Sequence, residues 1–331
     1  MAEVVDAQFM ALAASVAAPV NTFPNPRVGC VLVRDGEVVG VGAHHGVGTA
    51  HAEVNAIAAA GERARGATAY VTLEPCNHTG HTGPCSQALI AAGVARVVIG
   101  ACDPNPIASG GIDTLRAAGI EVIEGVGTAA AEAVNEHWLH AMRTGRPFVT
   151  LKLATSLDGR VAAAAGVETA ISGPESKREV HRLRSAVDAV LVGTATAVTD
   201  DPGLDVRLVR SERQPLRCVM GLRELPAHLQ LLHGELPALL LRTHTPAAAL
   251  AQLHARQIRH VLVEGGPTVA RAFVEAGLVD ECIWITAPRV LGAGPLAMGT
   301  QPFDSAVGWQ RTDTRLVGDD LWSILRPLPL P

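Results

Sequence analysis

His51-Ala52-Glu53, Pro75-Cys76 and Cys85 are the residues whose types and spacing most directly spell out chemistry. One His and two Cys suit zinc. A structural zinc site is closed by a fourth protein ligand, whereas three ligands leave a position for water. Glu53 stands two residues after the His. It is a carboxylate beside that open position, able to move the proton of an activated water.

The pattern resembles the His-x-Glu…Pro-Cys signature of the zinc deaminases, in which the Glu shuttles protons without binding metal. The usual second half is Cys-x-x-Cys, but here eight residues separate Cys76 from Cys85, and they include His78 and His81. Either His is an alternative ligand, and a closed Cys/His zinc knot with a solvated Glu53 is the alternative reading. The placement favours an open site. Thr49 to Ala60 reads as a helix with His51 and Glu53 at its start. Residues 69–73 read as a strand that delivers Glu74-Pro75-Cys76 at its exit. A second helix is expected from about Cys85 to Ala92.

The chain has 331 residues, 48% of them apolar and 18% charged, enough for two ordinary domains with substantial cores. The net charge of −5 argues against a general nucleic-acid binder. Five Phe, four Trp and one Tyr leave few platforms for stacking on single strands, which speaks against a nucleic-acid-editing deaminase. Cys30, Cys102, Cys218 and Cys282 lie in or beside apolar strand-like stretches, where Cys acts as a small hydrophobe. A disulfide framework is not expected. The first 18 residues carry acidic groups and no basic n-region, and read as an amphipathic helix. No run is apolar enough to suggest a membrane span, and the cytoplasm is the expected compartment.

Strands and helices alternate along the first half. A helix near 6–18 precedes a hairpin, Gly29–Arg34 and Glu37–Gly42, joined by Asp35-Gly36. Further strands are expected at 96–99 and 121–123, and helices at 111–118 and, as one piece, 129–143. Thr144-Gly145-Arg146-Pro147 punctuates the chain, so domains of 1–145 and 146–331 are expected. The second half alternates again, with strands at 148–153, 189–192, 217–220, 238–241, 260–263 and 281–286 and helices at 177–184, 247–257 and 267–276. The fold class is α/β. Val263-Glu264-Gly265-Gly266-Pro267 follows a strand and opens a helix, a place where a phosphate can approach the backbone, although a tight turn explains it equally well. The Gly-x-Gly-x-x-Gly fingerprint is absent there.

Nearly the whole chain is similar to the bifunctional riboflavin-biosynthesis deaminase–reductase family. In the first half the resemblance rests on Pro24-Asn25-Pro26-x-Val28-Gly29-Cys30, Gly42-x-His44, His51-Ala52-Glu53, Glu74-Pro75-Cys76, Pro84-Cys85 and Asp103-Pro104-Asn105-Pro106. The wide Cys spacing is peculiar to this family. In the second half it rests on Lys152-Leu153-Ala154-x-Ser156-Leu157-Asp158-Gly159-Arg160, Arg184, Thr196, Asp200-Asp201-Pro202-x-Leu204-x-x-Arg207 and Glu264-Gly265-Gly266-Pro267.

The resemblance implies a cytidine-deaminase-like α/β/α domain followed by a dihydrofolate-reductase-like α/β domain. It implies Zn2+ on His51, Cys76 and Cys85, with Glu53 as the catalytic proton carrier. It places Asn25, His44 and Asn105 against the deaminase substrate. It places Ala154, Thr196, Asp200, Gly265, Gly266 and Pro267 at NADPH, and Lys152, Arg184, Leu204, Arg207 and Glu264 at the reductase substrate. Arg184 and Arg207 suit a phosphate. The implied substrate is a small phosphoribosyl pyrimidine, with no nucleic acid or membrane partner. The implied assembly is a homo-oligomer, a dimer or tetramer.

The chain departs from the family at several positions. Glu168 stands where the family carries Ser, Ala170 where it carries Trp, and Gly221 where it carries Asp. His81 replaces a basic residue, and the loop 107–111 is shorter and lacks its usual Lys or Arg. Loss of an aromatic platform weakens nicotinamide binding. Deamination is therefore expected to persist, with reduction weakened, altered or lost as the alternative to a full bifunctional enzyme. Further alternatives are a divergent copy in another pyrimidine-derived pathway and a non-catalytic zinc-stabilised scaffold.

Overall fold

The alternation of apolar residues along the first-half strands dictates two buried faces, and the computed structural model shows what fills each. It describes residues 2–79, 83–233, 236–304 and 306–328. Two compact units divide the chain, Met1–Thr144 and Gly145–Pro331.

The first unit contains α1 (Ala2–Ala17), β1 (Gly29–Arg34), β2 (Glu37–Ala43), α2 (Ala52–Ala60), β3 (Thr68–Leu73), α3 (Cys85–Ala92), β4 (Arg96–Ala101), α4 (Gly111–Ala117), β5 (Glu121–Glu124), α5 (Thr128–Ala133) and α6 (Glu136–Thr144). The sheet order is β2-β1-β3-β4-β5. β1 runs antiparallel to β2 and β3, whereas β3, β4 and β5 are parallel. Cys30, Leu32, Ala69, Val71, Val97 and Ile99 pack with Ala52, Ala56, Leu89 and Leu115 of α2, α3 and α4. Their neighbours Val31, Val33, Tyr70 and Val98 pack with Met10 and Ala13 of α1 and Ala131 of α5. The period of two thus divides one sheet between two helical layers.

The hairpin turn has the expected geometry, with Asp35 and Gly36 both at positive φ (53° and 81°). A register shift between Leu32 and Val33 adds a bulge. One expectation fails. The helix expected over 129–143 is two helices, α5 and α6, broken at Val134-Asn135. Asn135 uses its side-chain amide on distant backbone: Oδ1 accepts from Arg27 N–H (2.7 Å) and Nδ2 donates to Arg27 O (2.6 Å). That tie, which also anchors the loop carrying Asn25, holds Asn135 at the break between the two helices.

Glycines on β2 set how closely α2 approaches. A Cβ on Gly42 would lie 2.2 Å from Ala52 O, and one on Gly40 would lie 2.3 Å from Ala56 O. The small faces of strand and helix bring the start of α2 down onto the sheet.

A charged knot pins α1. The buried Asp6 receives both guanidinium ends of Arg96 (3.0 and 2.7 Å) and the Tyr70 hydroxyl (2.6 Å). The Arg96 bonds, aided by Tyr70, hold the Asp6 carboxyl below its ordinary value despite burial.

The second unit contains β6 (Phe148–Thr155), α7 (Pro174–Ala186), β7 (Ala189–Gly193), α8 (Thr194–Asp200), β8 (Leu216–Met220), β9 (Leu239–Leu241), α9 (Pro246–His254), β10 (His260–Val263), α10 (Pro267–Glu275), β11 (Glu281–Thr286), β12 (Trp309–Val317) and β13 (Asp320–Pro327). The sheet order is β12-β13-β11-β6-β10-β7-β8-β9. From β11 to β9 the strands are parallel, and β13 and β12 add antiparallel at one edge. The hairpin β12–β13 and the short helix α8 are absent from the sequence expectations above. Cys30, Cys218 and Cys282 are buried and Cys102 is exposed, all as free thiols.

Two outcomes test this packing. Gly42→Ala, which forces α2 outward, should abolish zinc retention and deamination while leaving reduction intact, read by metal analysis and the two activity assays. Asp6→Asn should lower the stability of the first unit by roughly 2 kcal/mol at neutral pH. Because the folded-state value is depressed, this contribution is present above the ordinary aspartate range and is lost as pH falls below it. The difference between wild type and variant in urea melts should therefore shrink in acid.

Candidate active sites

In the first unit the ends of the central strands and the starts of two helices converge. His51 is the N-cap of α2, in extended conformation at φ −73° and ψ 165°. Cys85 is the first residue of α3, and Cys76 lies just beyond β3. His51 Nδ1 is 3.2 Å from Cys85 Sγ and 3.4 Å from Cys76 Sγ. The three ligand atoms all lie within 4.8 Å of one another. Tetrahedral zinc, with bonds of about 2.0 Å to nitrogen and about 2.3 Å to sulfur, separates N from S by about 3.6 Å. The donor set therefore fits zinc in chemistry and in spacing. Among the described residues no fourth side chain joins the group: His78 stands outside it, and His81 lies outside the described residues.

Glu53, in the first turn of α2, is 3% exposed. Burial pushes its carboxyl up to about 7, and the Cys76 thiolate adds to this. Cys76 is drawn down to about 4, first by the hydrogen bond from the Cys85 thiol and then by His51. Cys85 is correspondingly pushed up, first by its bond to Cys76 and then by burial. His51 is raised by its bond to Cys76, against burial.

Asn25 and His44 are brought beside these groups. His44 Nδ1–H donates to Ala50 O (3.3 Å), which leaves Nε2 to accept from Asn25 Nδ2 (3.0 Å), a tautomer assigned from the bonding pattern. The His44 and His51 rings meet edge to face at 5.0 Å. Burial pulls the His44 imidazole below its ordinary value. Asn105 sits on the loop after β4. Its N–H donates to Asp103 Oδ1 (2.8 Å), and its Oδ1 accepts from Ile107 N–H (3.2 Å). That loop is tied to the Cys76 segment by Asn77 N–H to Ala108 O (3.0 Å).

Glu74 has a role that the motif alone does not reveal. It is buried, and its carboxylate accepts from the backbone N–H groups of Gly110 (2.9 Å), Ile112 (3.4 Å) and Asp103 (3.3 Å). It fastens the loop bearing Asn105 to the strand end bearing Cys76. Its place in the Glu-Pro-Cys motif was the only available signal.

In the second unit Thr196, Glu264 and the turn 265–267 lie just beyond the carboxyl ends of β7 and β10, the usual location of ligands in open α/β sheets, whereas Lys152 lies within β6, Arg184 on α7, and Leu204 and Arg207 on the loop after α8. Arg184, at the last turn of α7, donates Nε to Glu264 Oε1 (2.6 Å), Nη2 to Oε2 (3.0 Å) and Nη1 to Asp205 O (3.1 Å). The guanidinium expected at a phosphate is thus engaged by a carboxylate. Lys152 Nζ is 4.0 Å from Glu264 Oε2. Burial pulls the Lys152 ammonium down, opposed by Glu264. Burial would raise Glu264, but Arg184 and then Lys152 hold it below its ordinary value.

Thr196 Oγ1 accepts from Gly266 N–H (3.0 Å), so Thr196 and the 265–267 turn are joined. Gly265 also has a packing role: its Cβ would lie 2.8 Å from Val269, and a Cβ on Gly193 would lie 2.6 Å from the same side chain. Asp200 ends α8, and its carboxyl is raised by burial and then by the nearby Glu168 charge. Ala154 lies on β6, two residues beyond Lys152 and on the same face. Leu204 is buried at positive φ (52°), and Arg207 is exposed and paired with Asp205. Glu168 and Ala170 are exposed.

Each unit contains a match to a known family model. Residues 4–101 match the cytidine and deoxycytidylate deaminase zinc-binding region, and residues 147–322 match the RibD C-terminal domain. The riboflavin biosynthesis protein RibD of Mycobacterium tuberculosis is 44% identical over 310 residues, covering 91% of each chain. The chain belongs to the RibD family. RibD of Escherichia coli is 44% identical over 85% of this chain and 87% of its own. The structure of Acinetobacter baumannii RibD superposes with a TM-score of 0.91, at 37% identity, over 98% of this chain and 99% of that one. A Thermotoga maritima diaminohydroxyphosphoribosylaminopyrimidine deaminase/5-amino-6-(5-phosphoribosylamino)uracil reductase gives a TM-score of 0.88 at 30% identity, covering 99% and 100%. The cytidine-deaminase-like and RibD C-terminal folds expected for this family are those observed.

Zinc loading near neutral pH should release protons, because the metal-free site favours protonation at Cys85 and His51. Calorimetry in buffers of different ionisation enthalpy should detect that release. Apparent zinc affinity should fall as pH is lowered, and Cys85→Ser should sharply reduce bound zinc by mass spectrometry.

Proposed function

We propose that this chain hydrolyses the 2-amino group of 2,5-diamino-6-(5-phosphoribosylamino)pyrimidin-4(3H)-one and then reduces the ribosyl group of the product to ribityl, as a bifunctional enzyme of riboflavin biosynthesis. Residues 1–145 carry the deamination with zinc, and residues 146–331 carry the reduction with NADPH. The observation that carries the reading is the juxtaposition of His51, Cys76 and Cys85 with a buried Glu53. A closed structural zinc knot has no use for a carboxylate held near neutrality beside it. The family relationship extends the reading to the second unit.

His51, Cys76 and Cys85 would hold the zinc. Bound there, it supplies the Lewis acidity that makes water a nucleophile near neutral pH. Glu53 accepts a proton from the attacking water and delivers it to the adjacent ring nitrogen; it then takes the second proton from the hydroxyl now on the carbon and passes it to the amine, which departs as ammonia as the carbonyl forms. Burial raises its carboxyl and bound zinc would draw it back toward the carboxylate, the form that accepts the first proton. Asn25 offers its amide to the pyrimidine, and His44 holds Asn25 in orientation through Nε2. Asn105 supplies a second amide from the loop that Glu74 fastens.

NADPH, when bound, supplies the hydride for the second reaction. Ala154, Thr196, Asp200 and the turn Gly265-Gly266-Pro267 form its proposed cradle, with the start of α10 favouring negative charge. The reduction needs one proton at a sugar oxygen. Lys152, a buried ammonium whose hold on its proton is loosened by burial, is the proposed donor. Glu264 limits that loosening and accepts ribose hydroxyls. Leu204 and Arg207 border the phosphate end. Arg184 serves this site by fixing Glu264 and the 205 carbonyl.

No observation favours the divergent-pathway or scaffold alternatives. Among the described residues no helix is long and apolar enough to cross a membrane. A homo-oligomer acting in the cytoplasm is part of the proposal.

Purified zinc-loaded protein given the diaminopyrimidinone ribotide should deaminate it with or without NADPH, and should reduce the sugar only with NADPH, as read by product mass. Deamination without reduction would remove the second half of the proposal. Glu53→Gln should lose ammonia release by at least about a hundredfold while keeping zinc and reductase turnover.

A further inference from the structure

The loop from Asp201 to Arg207 joins α8 to the remainder of the second unit in a conformation that its sequence does not favour. Asp201 and Leu204 both have positive φ, 36° and 52°, and neither is glycine. Asp tolerates this region, but a branched side chain such as Leu204 persists there only where the surroundings over-determine it. The surroundings here are specific. The Leu204 side chain is buried among Val190, Val192, Val219 and Leu262. Asp205 O accepts from Arg184 Nη1 (3.1 Å). Val206 N–H donates to Gln214 Oε1 (2.7 Å), and Val206 O accepts from Gln214 Nε2 (2.9 Å). Arg207 N–H donates to His181 Nδ1 (3.1 Å).

His181 and Arg184 are three residues apart on α7, so they share a face. His181 is 1% exposed. We infer that His181, assisted by Gln214, is a positioning residue of the reductase: it holds the backbone at Arg207 so that this loop presents a fixed edge to the phosphoribosyl substrate. The inference rests on the substrate reading proposed above for Leu204 and Arg207.

The tautomer follows from the bond. Nδ1 accepts, so the proton of neutral His181 is on Nε2. The charged groups facing the ring are Arg184 on its own helix, Arg207 and Asp205 on the loop, and Glu264 beyond β10. Burial, then the two arginines, pull its value below the ordinary one, which keeps the acceptor available at neutral pH. Protonation in acid puts a hydrogen on Nδ1 and turns the bond into a donor–donor contact.

The test uses the full zinc-loaded chain and four readouts: reductase KM, reductase kcat, NADPH affinity by nicotinamide fluorescence, and the pH dependence of KM. His181→Leu should raise KM about tenfold, the equivalent of one such hydrogen bond, with kcat and NADPH affinity nearly unchanged. His181→Asn, whose Oδ1 can replace the Nδ1 acceptor, should restore KM. In wild type, KM should rise as pH falls below the ordinary histidine range, whereas His181→Asn should be flat there. Arg207→Ala is measured in parallel. If Arg207→Ala raises KM and His181→Leu does not, the positioning role is overturned while the substrate reading stands. An unchanged KM in Arg207→Ala removes the substrate reading and the inference with it. If His181→Leu no longer binds NADPH, the pH profiles decide: parallel curves for wild type and His181→Asn overturn the inference, and a flat His181→Asn curve supports it.

Discussion

A carboxylate taken out of water must be neutralised by a nearby charge or must hold a proton. Two buried glutamates in this chain meet that constraint in opposite ways. Glu264 lies against Arg184 and Lys152 and stays ionised despite its burial. Glu53 is offset less fully, by its own backbone N–H, then by His51 and the Cys85 thiol, and its value climbs to about 7. The first is a fixed anion that can orient sugar hydroxyls. The second is the proposed proton carrier. A zinc ion beside Glu53 adds positive charge and favours the carboxylate, so loading the metal also sets the base. The roles follow from neighbours, not from residue type.

Close approach is the second requirement, and small residues meet it in both units. Gly40 and Gly42 let α2 descend on β2, which brings His51 and Glu53 to the strand ends. Gly193 and Gly265, at the ends of β7 and β10, accommodate one side chain, Val269 of α10. The paired glycines after β10 are thus explained in part by helix packing. A cofactor phosphate at the same helix start would use a geometry that the packing has already built.

Features carried by adjacent residues were legible in the sequence. The strand exit at Cys76, the start of α3 at Cys85, the Asp35-Gly36 hairpin and the alternation of core faces follow from local pattern. What was not legible depends on partners far along the chain. Asn135 reaches Arg27, and an expected single helix is broken there. Glu74 caps backbone amides beyond β4, and His181 holds the amide of Arg207. Arg184 read naturally as a phosphate ligand because nothing local places Glu264 against it. In each case the side chain's role is set by a hydrogen bond between segments that periodicity does not connect.

The same logic bears on the departures from the family pattern in the second unit. Gly221 has φ +143°, a conformation that side chains rarely adopt, and a Cβ there would lie 2.7 Å from Thr194 Cγ2. The space that an Asp at 221 would need is occupied by the first residue of α8, so Gly221 and Thr194 form one local solution. Glu168 is exposed, yet its charge reaches Asp200, where burial and then Glu168 raise the carboxyl. The added charge therefore acts on a neighbouring acid as well as on whatever binds there. Glu168 and Ala170 are exposed on a loop and Gly221 is buried just beyond β8, whereas Lys152 and Arg184 both meet Glu264. The one added charge, Glu168, is exposed, where solvent screens it, and does not stand among the charges around Glu264, where removing one partner strands the others.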